Sequence, residues 1–126
     1  HTLNPALAQL KDGAVFAYGN MGGEGQPQSQ AAVFTRHALF GQPLQQAVSA
    51  PRWLLGRTWG AAADNLKLEA RTPPAVVAAL RAAGHDVEVV EAYSDLMGHA
   101  GAVKRRADGV FEGAADPRAD GLAAAL

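Results

Sequence analysis

The sequence contains no cysteine, which excludes disulfides, thiol nucleophiles and thiolate metal sites together and is compatible with either redox compartment. Aromatic residues are scarce, with 4 Phe, 2 Trp and 2 Tyr among 126 residues. The hydrophobic fraction is nevertheless 48%, so Ala and short aliphatic side chains carry it, and Gly reaches 14. Small side chains each contribute little of the ~25 cal/mol per Å² gained on burial, so such a core is expected to pack against further polypeptide. No charge of one sign dominates. Eleven Lys and Arg against 12 Asp and Glu leave a net charge of −1, which gives no electrostatic footprint for nucleic acid or an anionic membrane. No apolar run approaches the ~18 residues of a membrane span, and the amino end lacks a basic-then-apolar export pattern. A chain of this length is one domain, too short for a self-contained large enzyme.

What is present alternates between short strands and helices. Asn4 to Leu10 and Ala14 to Gly19 flank Lys11-Asp12-Gly13, which predicts a hairpin. The glycine-dense run Asn20 to Pro27 hands over to a helix expected to reach about Phe40, with Ala31, Phe34 and Ala38 at helical spacing. A short helix follows over Leu44 to Ser49. Arg52 to Asp64 has poor periodicity and is expected to be an arm anchored by Trp53 and Trp59. Asn65 to Ala70 alternates Leu66 and Leu68 with Lys67 and Glu69, as a half-buried strand does. Pro73-Pro74 opens a helix that Gly84 stops, and Asp86 to Val90 is a strand. Ala100 to Arg105 and Val110 to Gly113 form a second hairpin about Asp108-Gly109, and Ala114 onward is a coiled tail. The expected class is α+β, layered, with antiparallel pairs.

The candidate chemistry centres on Gly22-Gly23, between a strand and a helix start. Consecutive glycines allow close backbone approach and positive φ, and a helix amino end adds unpaired N–H groups. An anion, or the oxyanion formed when an amide carbonyl is attacked, could be held there. The phosphate-loop pattern fails because Gly25-Gln26-Pro27 stands where Gly-Lys-Ser/Thr is needed. Taken alone, the dipeptide fits a plain tight turn better than a site. His1, His37, His85 and His99 contain no His-x-x-x-His pair and predict no metal site. His99, between glycines, reads as a hydrogen-bonded structural histidine, and His85 as a charge at a helix end. Thr2, Ser29, Thr35, Ser49, Thr58, Thr72 and Ser94 lack a nucleophile context such as Gly-x-Ser-x-Gly. Arg52 and Arg57 flank Trp53; stacking or a buried carboxylate is the simpler reading and substrate carboxylate binding the sharper one. Asp116-Pro117-Arg118 reads as a surface turn with a weak ion pair.

Several segments in order carry a resemblance. Thr2-Leu3-Asn4-Pro5, the hairpin, Met21-Gly22-Gly23, Gln46-Ala47-Val48-Ser49-Ala50-Pro51-Arg52 and Gly113-Ala114-Ala115-Asp116-Pro117-Arg118 together resemble the carboxy-terminal part of the γ-glutamyltranspeptidase family. The resemblance covers nearly the whole chain. It implies the four-layer αββα sandwich of the N-terminal-nucleophile hydrolases. In that family the precursor cuts itself to expose a nucleophilic threonine at the amino end of a small subunit. It further implies that residues 1–126, which begin with His1 rather than Met, are the carboxy-terminal portion of that subunit. The nucleophile would then lie upstream, and the remainder of the small subunit and the large subunit would be the partners. Gly22 and Gly23 match the family's oxyanion-hole pair. His1 and Thr2 fall where γ-glutamyl enzymes place a Ser-Ser pair that binds the substrate α-carboxylate. Thr2 keeps a hydroxyl there, whereas His1 is bulkier and titratable. Met21-Gly22-Gly23-Glu24, in place of Pro-Gly-Gly-Ser, is similar to the branch of oxamate-type amidohydrolases. The implied activity is hydrolysis or transfer of a γ-glutamyl amide without a cofactor, with oxamate-type small-amide hydrolysis as the alternative. The competing class is a non-catalytic α/β scaffold or binding module.

Overall fold

The computed structural model describes residues 3–60 and 62–125. In chain order the elements are β1 (Ala6–Gln9), β2 (Val15–Met21), α1 (Gln26–Phe34), α2 (Leu44–Ser49), β3 (Trp53–Leu55), β4 (Leu66–Glu69), α3 (Pro74–Ala82), β5 (Val87–Val90), β6 (His99–Arg105) and β7 (Phe111–Ala115). Four strands form an antiparallel sheet in the order β1-β2-β6-β7, and three form a second sheet in the order β3-β4-β5. In the second sheet β4 pairs antiparallel with β3 and parallel with β5. The parallel pair requires a crossover, which α3 supplies. The class is α+β, as the alternation of elements indicates.

Both expected hairpins form. In the first, Gly13 takes φ 83 and the Asp12 carboxylate accepts the Ala14 N–H at 3.0 Å, so an aspartate and a glycine each supply what the turn needs. Beyond Phe34 the chain continues as a wider turn over Thr35–Leu39, closed by the Phe40 N–H to the Thr35 carbonyl at 3.0 Å. The Thr35 hydroxyl bonds back to the Ala31 carbonyl at 2.8 Å, a competition for helix carbonyls that favours such loosening.

The core lies between the four-stranded sheet and α1 with α2. It contains Phe16, Val33, Leu44, Val48, Ala100, Ala102 and Ala114, with the Phe16 ring stacked on Tyr18 at 4.7 Å. The buried face of α1 differs from the expected one. Ala31 is exposed, and Gln26, Ser29, Gln30 and Val33 are buried. Three of those four are polar, so hydrophobic spacing could not reveal the face that turns inward.

The other face of this sheet is uncovered along the cross-strand row Leu7, Ala17, Val103 and Gly113. Leu7 is 74% exposed and Val103 49%. A groove of about 840 Å³ runs between this face and the tail residues 121–125. The wealth of Ala and Gly is thus explained by a sheet that buries small residues on one side and displays them on the other.

Two expectations fail between Arg52 and Asp64. The segment opens with β3 rather than with an aromatic-anchored arm, and Trp53 and Trp59 are 40% and 55% exposed. The buried residues of the segment, among those described, are Arg52, Leu54 and Thr58, at 1%, 2% and 3% exposed. The Asp116-Pro117-Arg118 turn also fails as a surface feature. Asp116 and Arg118 are buried, as is Glu69 at 0% exposure, although strand alternation assigned Glu69 to solvent. The chain after Ala114 is therefore not simply a coil: β7 extends to Ala115 and this buried turn follows it.

Arg52, Glu69, Asp116 and Arg118 join in one network. Arg118 grips Glu69 with two parallel bonds of 2.7 Å and 2.5 Å and reaches Asp116 at 3.0 Å. Arg52 pairs with the other Asp116 oxygen. Its guanidinium also donates to the carbonyls of Met97 at 3.0 Å and Gly98 at 2.9 Å. Paired, planar guanidinium–carboxylate geometry makes such burial tolerable. The network ties β4, the turn after β7, the end of α2 and the segment before β6 into one unit.

Candidate active site

Gly22 and Gly23 follow β2 directly, and Gly23–Gly25 form a single tight helical turn that runs into α1. Gly23 has φ 50, and a Cβ at this position would lie 2.1 Å from the Thr58 carbonyl oxygen. No side chain can occupy that space, and the left-handed backbone favours glycine independently. The Gly25 N–H is taken by the Gly22 carbonyl at 2.9 Å, and the Glu24 N–H by the Thr58 carbonyl at 3.2 Å. Among the described residues, no partner takes the N–H of Gly22 or of Gly23. Gly22 is buried and Gly23 is exposed, so the chain passes from the interior to the surface between the two glycines.

Surrounding groups fix this loop from several sides. Asn20, 4% exposed, contacts the Ser29 hydroxyl, which in turn bonds the Gly25 carbonyl at 2.8 Å. Behind Gly22 lies Gly98, whose φ is 69 and whose added Cβ would come 1.9 Å from the Met21 carbonyl oxygen. Outside the loop, Arg57 holds Glu24 by bonds of 3.0 Å and 2.8 Å. That guanidinium keeps the Glu24 carboxyl below its usual range. Both groups face solvent, so the pair adds little energy.

The other candidates fall as follows. His99 is the cross-strand neighbour of Met21 and approaches Asp95 at 3.4 Å, in keeping with a structural histidine beside the glycine loop. Arg52 has the buried carboxylate partner of the simpler reading, whereas Arg57 pairs with an exposed carboxylate, Glu24, which is neither of the alternatives expected for it. His85 is exposed at the end of α3. His1 and Thr2 lie outside the described residues. Among the described residues, no group of three or more His, Cys, Asp or Glu is arranged to hold a metal, and no helix is long and apolar enough to cross a membrane. Sequence reasoning missed Asn20, Ser29 and Thr58 as supports of the loop. The only signal available was their presence as polar residues in segments that had to pack against the glycines.

The family described as Gamma-glutamyltranspeptidase matches residues 1–126. The chain belongs to the γ-glutamyltranspeptidase family. Within this family it is 62% identical over 124 residues to the oxamate amidohydrolase proenzyme of Klebsiella pneumoniae subsp. pneumoniae, a match covering 98% of the chain and 24% of that protein. It is 45% identical over 126 residues to the glutathione hydrolase-like YwrD proenzyme of Bacillus subtilis, covering 100% of the chain and 24% of the relative. The chain thus spans about a quarter of the length of these curated relatives. Among solved structures, the W525D mutant of γ-glutamyltranspeptidase from Pseudomonas nitroreducens is similar with a TM-score of 0.77 and 25% identity, covering 99% of this chain and 62% of that one. The Bacillus anthracis transpeptidase CapD shares the fold, with a TM-score of 0.79 and 21% identity over 98% of this chain and 70% of its own. The γ-glutamyltranspeptidase fold is that of the N-terminal-nucleophile hydrolases, and the chain is a part of it.

Proposed function

We propose that this chain is the carboxy-terminal portion of the small subunit of an N-terminal-threonine amidohydrolase, and that Gly22 and Gly23 form its oxyanion hole. The observation that carries this reading is the pair of consecutive N–H groups that no described residue takes, held by a glycine that sterics make irreplaceable at position 23. In the reaction a threonine hydroxyl, supplied by polypeptide upstream, attacks the amide carbonyl while the threonine's own α-amine takes the proton. Negative charge gathers on the carbonyl oxygen, and the two glycine amides receive it. Each such donor contributes about 2.7–4 kcal/mol to the transition state in acyl-transfer enzymes. Ammonia or an amine leaves with the proton, and water or an amine acceptor resolves the acyl-enzyme.

His1 and Thr2 complete the reading as part of the pocket for a substrate carboxylate. Thr2 offers a hydroxyl donor and His1 a ring that can donate or carry charge. The partners are the remainder of the small subunit and the large subunit of the same proenzyme. The small-residue face of the four-stranded sheet supports this, since it leaves room for a second layer. Between the two substrates that fit a carboxylate-bearing amide, the 62% identity to an oxamate amidohydrolase proenzyme favours oxamate over a γ-glutamyl compound. The test uses the full-length gene product. Ammonia release from oxamate without p-nitroaniline release from γ-glutamyl-p-nitroanilide supports the oxamate reading. The reverse pattern assigns γ-glutamyl hydrolysis, and no turnover of either, with no self-cleavage, returns the scaffold alternative.

A further inference from the structure

We infer that Thr58 is a positioning residue of the Gly22-Gly23 loop, its carbonyl setting one side of the loop and its hydroxyl fixing the segment that backs the other. This inference rests on the oxyanion reading above. Thr58 is 3% exposed, although Trp59 beside it is 55% exposed. Its carbonyl accepts the Glu24 N–H at 3.2 Å and fills the space where a Gly23 side chain would stand. Its hydroxyl donates to the Leu96 carbonyl at 2.5 Å. Two residues on, Gly98 lies against Gly22, with its Cα 3.2 Å from where a Gly22 Cβ would be. Thr58 thereby closes a circuit that runs from Gly23 through Thr58, Leu96 and Gly98 back to Gly22.

The circuit answers a physical need. Two consecutive glycines have the most permissive backbone a chain can offer, whereas an oxyanion hole works only if its donors are aimed before charge develops. Rotation of the peptide joining Gly22 and Gly23 would turn one N–H away from the substrate. The Glu24 N–H bond holds the following peptide in place, and contact with Gly98 holds the preceding one. The Gly22 carbonyl of the central peptide accepts the Gly25 N–H at 2.9 Å, and the Ser29 hydroxyl holds the Gly25 carbonyl at 2.8 Å, so that Thr58 adds the tie at the next peptide, on the side facing away from this turn. The exposed Arg57–Glu24 pair is too weak to replace it.

The experiment compares Thr58→Val and Thr58→Ser in the full-length gene product. Valine keeps the branched volume and the carbonyl but removes the hydroxyl; serine keeps the hydroxyl. Thr58→Val is expected to lower kcat roughly 10–100-fold with KM nearly unchanged, as a misplacement of about an ångström in catalytic geometry would. Affinity for a boronic acid that mimics the tetrahedral intermediate should fall in step with kcat/KM, and Thr58→Ser should restore most of both. Equal kcat in Thr58→Val and the parent overturns the inference. So does a loss that follows the folded fraction alone, or one that serine does not restore. Should Thr58→Val fail to fold, Thr58→Ala is judged by the same split. Gly23→Val separates the two levels. Unchanged turnover there sinks the oxyanion reading itself, whereas lost turnover there beside a fully active Thr58→Val sinks only the role of Thr58.

Discussion

The Thr58 carbonyl oxygen lies 2.1 Å from the point where Gly23 would carry a Cβ, so the backbone of one residue occupies the side-chain space of the other. This relation fixes the consequence of altering Gly23. Gly23→Val meets both the clash and the strain of φ 50, and neither can be relieved without displacing the two amides. We expect kcat to fall by about 10²–10³, the usual loss for one oxyanion donor. The fold should persist because the position is exposed. Steady-state kinetics beside a melting curve checks this, and loss of the folded protein in parallel with activity would contradict it.

The buried network sets a second expectation. Arg118 is bound to both Glu69 and Asp116 with its side chain at 0% exposure. Arg118→Met leaves those carboxylates short of a partner within the protein. Breaking a buried pair from one side costs about 3–5 kcal/mol, so this single change should melt the protein at a markedly lower temperature. Thermal unfolding of the variant decides the matter, and an unchanged midpoint would mean that the network is dispensable.

The hairpins, both helices before β3, α3 and the strand from Val87 were legible as elements because turn residues and helix start and stop signals mark them, although α1 turns inward a largely polar face that apolar spacing did not reveal. Gly22-Gly23 was legible as a place where backbone approaches something closely. The something was not, since Thr58 lies in Gly56-Arg57-Thr58-Trp59-Gly60, a stretch with no periodicity to say which residue turns inward. Glu69 was misread for the opposite reason. Its strand alternates well, but the residue sits at the strand's end facing Arg118, and a pairing 49 residues apart leaves no mark on local pattern. Trp53 and Trp59 were given an anchoring role by size alone. Neither is buried, whereas Arg52 beside them is.

That reversal is testable. Trp53→Ser removes a large ring from a position 40% exposed, and Arg52→Met removes a buried charge of comparable length. Substituting the tryptophan should shift stability by no more than about 1 kcal/mol, near the range of ordinary surface changes. The arginine change should cost several times more, because Asp116 and the Met97 and Gly98 carbonyls lose their donor together. Equal effects, or the reverse order, would restore the aromatic anchor.

Asp116 gives the pH dependence. Burial alone would raise its pKa. Attraction to Arg52, with bonds from the N–H groups of Ala100 and Arg118, outweighs burial and holds the carboxyl below its ordinary value. A folded pKa lower than the unfolded one means that the unfolded chain binds more protons in acid. The group's contribution to stability is therefore complete above the ordinary aspartate value of ~3.9 and is lost as pH falls through the lower folded value. Asp116→Asn should be less stable than the parent at neutral pH. The two should converge as acid is added, because protonation removes from the parent what the substitution has already removed. Melting temperatures from pH 7 down to about pH 2.5 would show this, and a gap that stayed constant or widened in acid would place the ionised group elsewhere in the network.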